Sequence, residues 1–166
     1  MRGKPLYIAT GICLISACLV FLAIASDGRS VRIEHPFTKD AALKIITQND
    51  TLFFDVELAD NHDKRTQGLM FRYSMEANQG MFFIFDFSDI QSFWMRNTFI
   101  SLDMLFINED FEIIQIHENA FPLSEEPILS NYPAKYVLEI LGGVSMRKGI
   151  RVGDVVRLII DCTVYF

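Results

Sequence analysis

Beyond residue 42 the chain breaks into short apolar runs, none with the length and 3.6-residue period of a packing helix, and this patterning constrains the fold more than any other feature. Residues 51–59 alternate: Leu52, Phe54, Val56 and Leu58 fall on one side, and Phe53, Asp55 and Glu57 on the other. That is the period of a half-buried strand, with Asp55 and Glu57 on a solvated face. Residues 43–47 precede it across the turn cluster Gln48-Asn49-Asp50, which predicts a hairpin. Residues 81–87, opened by Gly80, are almost wholly apolar and predict a strand covered on both faces. Residues 91–98, 102–107, 111–116, 136–140 and 155–164 add further strands, divided by turn signals such as Asn108-Glu109-Asp110 and Gly153-Asp154. The stretch 121–133 carries Pro122, Pro127 and Pro133 and reads as a long loop. Helix is confined to residues 61–67, capped by Asp60 and stopped by Gly68, and to a turn or two within 141–148. Parallel βαβ units need long crossover helices, so the expected fold is all-β or mainly β with short helices, a compact antiparallel barrel or sandwich.

The N-terminus carries separate information. Arg2 and Lys4 precede an uncharged run over residues 6–25, LYIATGICLISACLVFLAIA. At the helical rise such a run spans about 30 Å, the thickness of a hydrocarbon core. Basic residues ahead of it hold the N-terminus in the cytoplasm and send the remainder across. Three fates fit. Ala23-Ile24-Ala25 is an A-x-A site that a signal peptidase could cut before Ser26; the segment could stay as an uncut anchor; or Ile15-Ser16-Ala17-Cys18 could serve as a lipoprotein box. The residues after Cys18 are still apolar, which speaks against the third. Residues 1–25 thus read as a signal peptide or membrane anchor, 26–42 as a linker, and 43–166 as a single β-rich domain.

Charge and cysteine usage narrow the function classes. Fifteen basic against 21 acidic residues leave a net charge of −6, the wrong sign for a phosphate-binding surface, so no nucleic-acid partner is expected. A chain 51% hydrophobic and 22% charged is not a disordered tail. Cys162 is the only cysteine outside the leader and reads as a buried strand thiol. His35, His62 and His117 are scattered without ligand spacing, so neither a metal nor another cofactor is expected. The chain has no G-x-S-x-G sequence, and Gly142-Gly143 lacks the spacing of a phosphate loop.

The informative residues are ionisable groups inside apolar strands. Asp103 shares strand parity with Leu105 and Ile107, and Glu139 with Val137 and Leu141. Arg96 alternates with Trp94, and Arg72 follows GLMF. Buried charges must find partners or change protonation state. One reading is an internal salt-bridge network, with Arg96 or Arg72 paired to Asp103. The other is a pocket lined by Arg72, Trp94, Arg96, Asn97 and Asp103, with Glu139 in the same constellation. There Arg supplies a fork for an anion and Trp a flat apolar face.

Read in order, QGLMFR (67–72), GMFFIF (80–85), FWMRNTFISLDMLFI (93–107), YVLEI (136–140) and GIRVGD (149–154) resemble the family known as domain of unknown function 192. The resemblance runs from about Thr47 to Val164, with Ser101 where the family often has proline. It implies a compact, mainly β domain, often behind a signal peptide or lipoprotein leader. It carries no established activity and therefore no catalytic residues. It implies that Arg72, Trp94, Arg96, Asn97, Asp103 and Glu139 belong to the family's motif set. The expectation is an exported or membrane-anchored domain of the bacterial envelope that binds a small polar or anionic ligand or an envelope protein. The alternatives are an envelope hydrolase using Asp103 or Glu139, and a purely structural accessory domain.

Overall fold

The computed structural model describes residues 35–159. The leader, the first part of the linker and the segment with Cys162 lie outside them. In chain order the elements are β1 (Ala41–Ile46), β2 (Thr51–Ala59), α1 (His62–Gln67), β3 (Gln79–Asp89), β4 (Ser92–Phe93), β5 (Leu102–Ile107), β6 (Ile113–Ala120), β7 (Ile128–Leu129), β8 (Ala134–Leu141), α2 (Val144–Lys148) and β9 (Val155–Ile159). The fold is mainly β with two short helices, as the patterning predicts. Seven strands form one sheet in the order β6-β5-β8-β3-β2-β1-β9. The sheet curls into a half-barrel whose edges touch at one end. There Glu112 bridges Val155, and the Val156 N–H donates to the Phe111 carbonyl at 2.8 Å. Among the described residues no helix is long and apolar enough to cross a membrane.

One pairing departs from the antiparallel expectation. β2 and β3 run parallel, Asp55 opposite Gln79 and Ala59 opposite Phe83. The chain returns between them through α1 and an irregular stretch up to Asn78, not through a long helix. A parallel crossover needs a dozen or more residues, and loop can supply that length as well as helix. α1 itself is capped by Asn61, whose Oδ1 accepts the Lys64 N–H at 3.0 Å, and not by Asp60. Gly68 ends it at φ 48°, a conformation glycine adopts without strain.

The segment 91–98 is also not the strand its alternation suggests. Only Ser92 and Phe93 are extended, paired with Leu129 and Ile128 in a second, two-stranded sheet. That pairing puts a short strand inside the proline-rich loop. Beyond it the chain turns, with the Thr98 N–H donating to the Met95 carbonyl at 3.0 Å. The linker ends sooner than expected, because Ala41 and Ala42 already pair with β2.

Two apolar layers explain why β5 is buried at every position. Inside the curl, Leu43, Phe54, Val56, Phe82, Leu105, Leu138 and Ile140 pack together. On the outer face, Met81, Phe83, Met104, Phe106 and Val137 form a second cluster, covered by Leu69 from the crossover and Met95 from the turn. β3 is sandwiched only along its first half; Phe87 beyond it is 82% exposed. Gly80 lets β3 approach β8, since a Cβ there would come within 2.5 Å of the Glu139 carbonyl oxygen.

Candidate functional site

Asp103 faces the inner layer from β5 and is fully buried. Its expected arginine partner is absent. One carboxylate oxygen accepts the N–H of Asn119 at 2.8 Å and of Gly143 at 2.9 Å. The other accepts the N–H of Ser145 at 2.9 Å and its hydroxyl at 2.7 Å. α2 begins at Gly143, which has no side chain to cap it, so Asp103 supplies the missing acceptor from a neighbouring strand. A carboxylate held by four donors at the positive end of a helix needs no cation. Asp103 thereby ties β5 to Asn119 and to the start of α2.

Arg72 finds its partner elsewhere. It is 4% exposed, and its Nη2 donates to Glu57 Oε2 at 2.7 Å. Glu57 Oε1 accepts the Thr38 N–H at 2.7 Å. Glu57, assigned from its parity to a solvated face, is 8% exposed because the crossover carrying Arg72 passes over that end of β2. Arg72 Nε and Nη1 have no hydrogen-bond partner among the described residues.

Glu57 pairs in register with Met81, Met81 with Glu139, and Glu139 with Met104. Residues directly opposite on neighbouring strands project from the same face. Across the outer face of β2, β3, β8 and β5 the row therefore reads Glu, Met, Glu, Met. Two strand spacings put the acidic positions about 10 Å apart. Glu57 has its arginine. Glu139 has neither an ion-pair nor a hydrogen-bond partner among the described residues and is 4% exposed. Burial alone pushes its carboxyl from 4.5 up to about 8.

Glu139 is not sealed in. It lines a cavity of about 320 Å³, together with Arg65, Phe93, Trp94, Arg96 and Thr98. Among the described residues, Glu139 is the only carboxyl group in the lining. Trp94 is 47% exposed at this cavity, and the Arg96 guanidinium carbon lies 5.5 Å from the centre of its ring. Arg96 has no ion pair among the described residues. Arg65 reaches in from α1, held by a 2.8 Å bond from its Nη1 to the Ile84 carbonyl and stacked 5.5 Å from the Phe85 ring centre. Asn97 sits behind the cavity wall in a left-handed conformation, φ 56°. Its carbonyl accepts the Phe71 N–H at 2.7 Å, and its amide contacts Met70 Sδ at 3.9 Å. It clamps the turn that carries Trp94 and Arg96 to the crossover loop.

Of the six sequence-selected residues, three meet at one cavity: Trp94, Arg96 and Glu139. Asn97 positions two of them, and Arg72 and Asp103 act elsewhere. The family model described as Uncharacterized ACR, DUF192, matches residues 44–158. The chain belongs to the DUF192 family. Two solved structures are similar to it. One, a protein of unknown function from Novosphingobium aromaticivorans DSM 12444, is 37% identical, with a TM-score of 0.69 over 70% of this chain and 83% of that one. The other is a protein from Sinorhizobium meliloti 1021 whose description proposes a transcription regulator. It is 41% identical, with a TM-score of 0.71 over 75% of this chain and 97% of that one. No curated protein matches.

For this DUF192 chain, the sequence reading missed Arg65, Glu57 and Ser145. The Gly142-Gly143 pair could have exposed Ser145 and its acceptor, because a helix started by glycine must borrow a cap. Arg65 gave no signal, since a basic residue on a short polar helix reads as solvated.

Proposed function

We propose that this DUF192 chain is an exported or membrane-anchored domain of the bacterial envelope that binds a small polar or anionic ligand in the cavity beside Trp94. The observation that carries the reading is Glu139: a buried, unpartnered carboxyl lining an open cavity. Leaving such a group without a partner is costly to stability, and sites that persist at that cost are enriched in binding and catalytic roles. Arg96 stacked on Trp94 adds a free guanidinium beside a flat apolar face, the pair of surfaces that suits an anion with an apolar body. The cavity volume falls in the range that encloses metabolite-sized molecules. The export half of the reading rests on Arg2, Lys4 and the uncharged run at 6–25.

A second reading, a hydrolase with Glu139 as general acid, draws on the same raised carboxyl. It ranks lower because the described residues of the lining offer no second carboxyl group to act as base or nucleophile. Asp103, its other candidate, is held by four donors.

Trp94 is the chain's one tryptophan, so its emission reports directly on the cavity. Titration with small aromatic and aliphatic carboxylates, amino acids included, should give a saturable emission change that Arg96→Ala weakens. Emission unmoved by the whole panel would count against the reading.

A further inference from the structure

The charges around the cavity are sorted by depth, and the sorting points to a particular class of ligand. The acid, Glu139, lies deep, between Met81 and Met104, while Arg96, without an ion pair among the described residues, is exposed beside Trp94. The titratable or charged groups that share the cavity are His62 and Arg65 from α1 and Arg96 from the turn after β4. The neighbouring strands β3 and β5 offer Glu139 only methionine in register. Arg65 is held by the Ile84 carbonyl and the Phe85 ring.

Resting on the cavity reading above, we propose that the site takes a zwitterionic amine of metabolite size, for which an amino acid with an apolar side chain is the simplest form. The ammonium group sits against Glu139, the carboxylate against Arg96, and the apolar part against Trp94 and Phe93. The alternative, an anion against Glu139, would meet repulsion from the ionised acid or, with the acid neutral, leave its own charge in an apolar setting, which desolvation opposes. An ammonium group there does the reverse. It supplies the opposite charge and the hydrogen-bond donors that Glu139 lacks, so the carboxyl ionises as the ligand enters. The exposed Arg96 then takes the carboxylate with its fork of N–H groups.

The test is isothermal titration calorimetry at pH 7 on the full-length chain, in two buffers of different ionisation enthalpy. The probes are phenylalanine and leucine, set against their deaminated counterparts, 3-phenylpropionate and 4-methylpentanoate. The amino acids should bind about tenfold tighter or better, a difference of about 1.4 kcal/mol. Each should release close to one proton per ligand bound, because Glu139 enters the complex ionised. Glu139→Gln, which keeps the shape of the neutral acid, should erase both the preference and the proton release. Deaminated acids that bind as tightly as the amino acids would overturn the zwitterion and leave the cavity reading standing. So would a Glu139→Gln protein that keeps the preference. Binding by none of the four probes would overturn both.

Discussion

Glu57 and Glu139 stand on either side of Met81, in register on one face of the sheet, yet among the described residues only Glu57 has a cation. The crossover between the two parallel strands decides this. It lays Arg72 over Glu57, while Glu139 is left facing the cavity that the same crossover walls together with Trp94 and Arg96. The same backbone device therefore neutralises one buried acid and leaves the other available to a ligand.

The unpartnered carboxyl should make stability fall with rising pH. The folded-state value of Glu139 is raised to about 8 from 4.5, so between those values the folded chain holds a proton that the unfolded chain has lost. Stability contributed by the neutral acid is complete below about pH 4.5 and is lost as pH rises toward 8, by about 3–5 kcal/mol in all. Glu139→Gln should remove this slope and be the more stable protein at pH 8. Urea denaturation of both proteins from pH 5 to 9 checks it; parallel curves would show that Glu139 titrates normally.

The Arg72–Glu57 pair should behave as a coupled unit. Arg72→Met strands a buried carboxylate and should destabilise by about 3–5 kcal/mol. Adding Glu57→Met should restore at least half of that loss, since removing both charges also removes their desolvation penalty. A double-mutant cycle by chemical denaturation measures the coupling, and simple additivity would contradict the pairing.

Asp103 and Arg96 should show no coupling at all. Asp103→Ala leaves three backbone N–H groups and the Ser145 hydroxyl without their acceptor, a loss of about 3–5 kcal/mol. Arg96→Ala, at an exposed position, should stay within about 0.5 kcal/mol of the parent, and the double variant should be additive to the same margin. Coupling above about 1 kcal/mol would revive the direct pairing that the sequence suggested.

The contrast shows what strand patterning reveals. Apolar alternation locates β2 to the residue, and an apolar run bounded by turn signals does the same for β5. Such patterning cannot tell which neighbour a strand finds, so the parallel β2–β3 pair and the turn after β4 were invisible to it. The ionisable residues were legible as anomalies, for Asp103 and Glu139 do break the apolar pattern. Their partners were not: those of Asp103, namely Asn119, Gly143 and Ser145, lie far along the chain, and Glu139 has none among the described residues. Trp94 and Arg96 do share a side, as their alternation suggests, but they meet through the turn after β4 and not along a strand.

The export proposal has its own check. Alkaline phosphatase fused after Phe166 should be active outside the cytoplasm, and the N-terminal residue of the purified protein should separate cleavage before Ser26 from retention or from lipidation of Cys18. Activity confined to the cytoplasm would refute the reading of residues 6–25.

The most direct test of the central claim is the titration of Glu139 itself. With glutamate side chains labelled at the carboxyl carbon and the signal assigned through Glu139→Gln, the Glu139 resonance should titrate with a midpoint near 8 in the ligand-free protein. Phenylalanine should then drive it to its ionised position at neutral pH. A midpoint near 4.5, unmoved by any probe, would contradict the account, for it would mean that Glu139 already has a partner or lies in water.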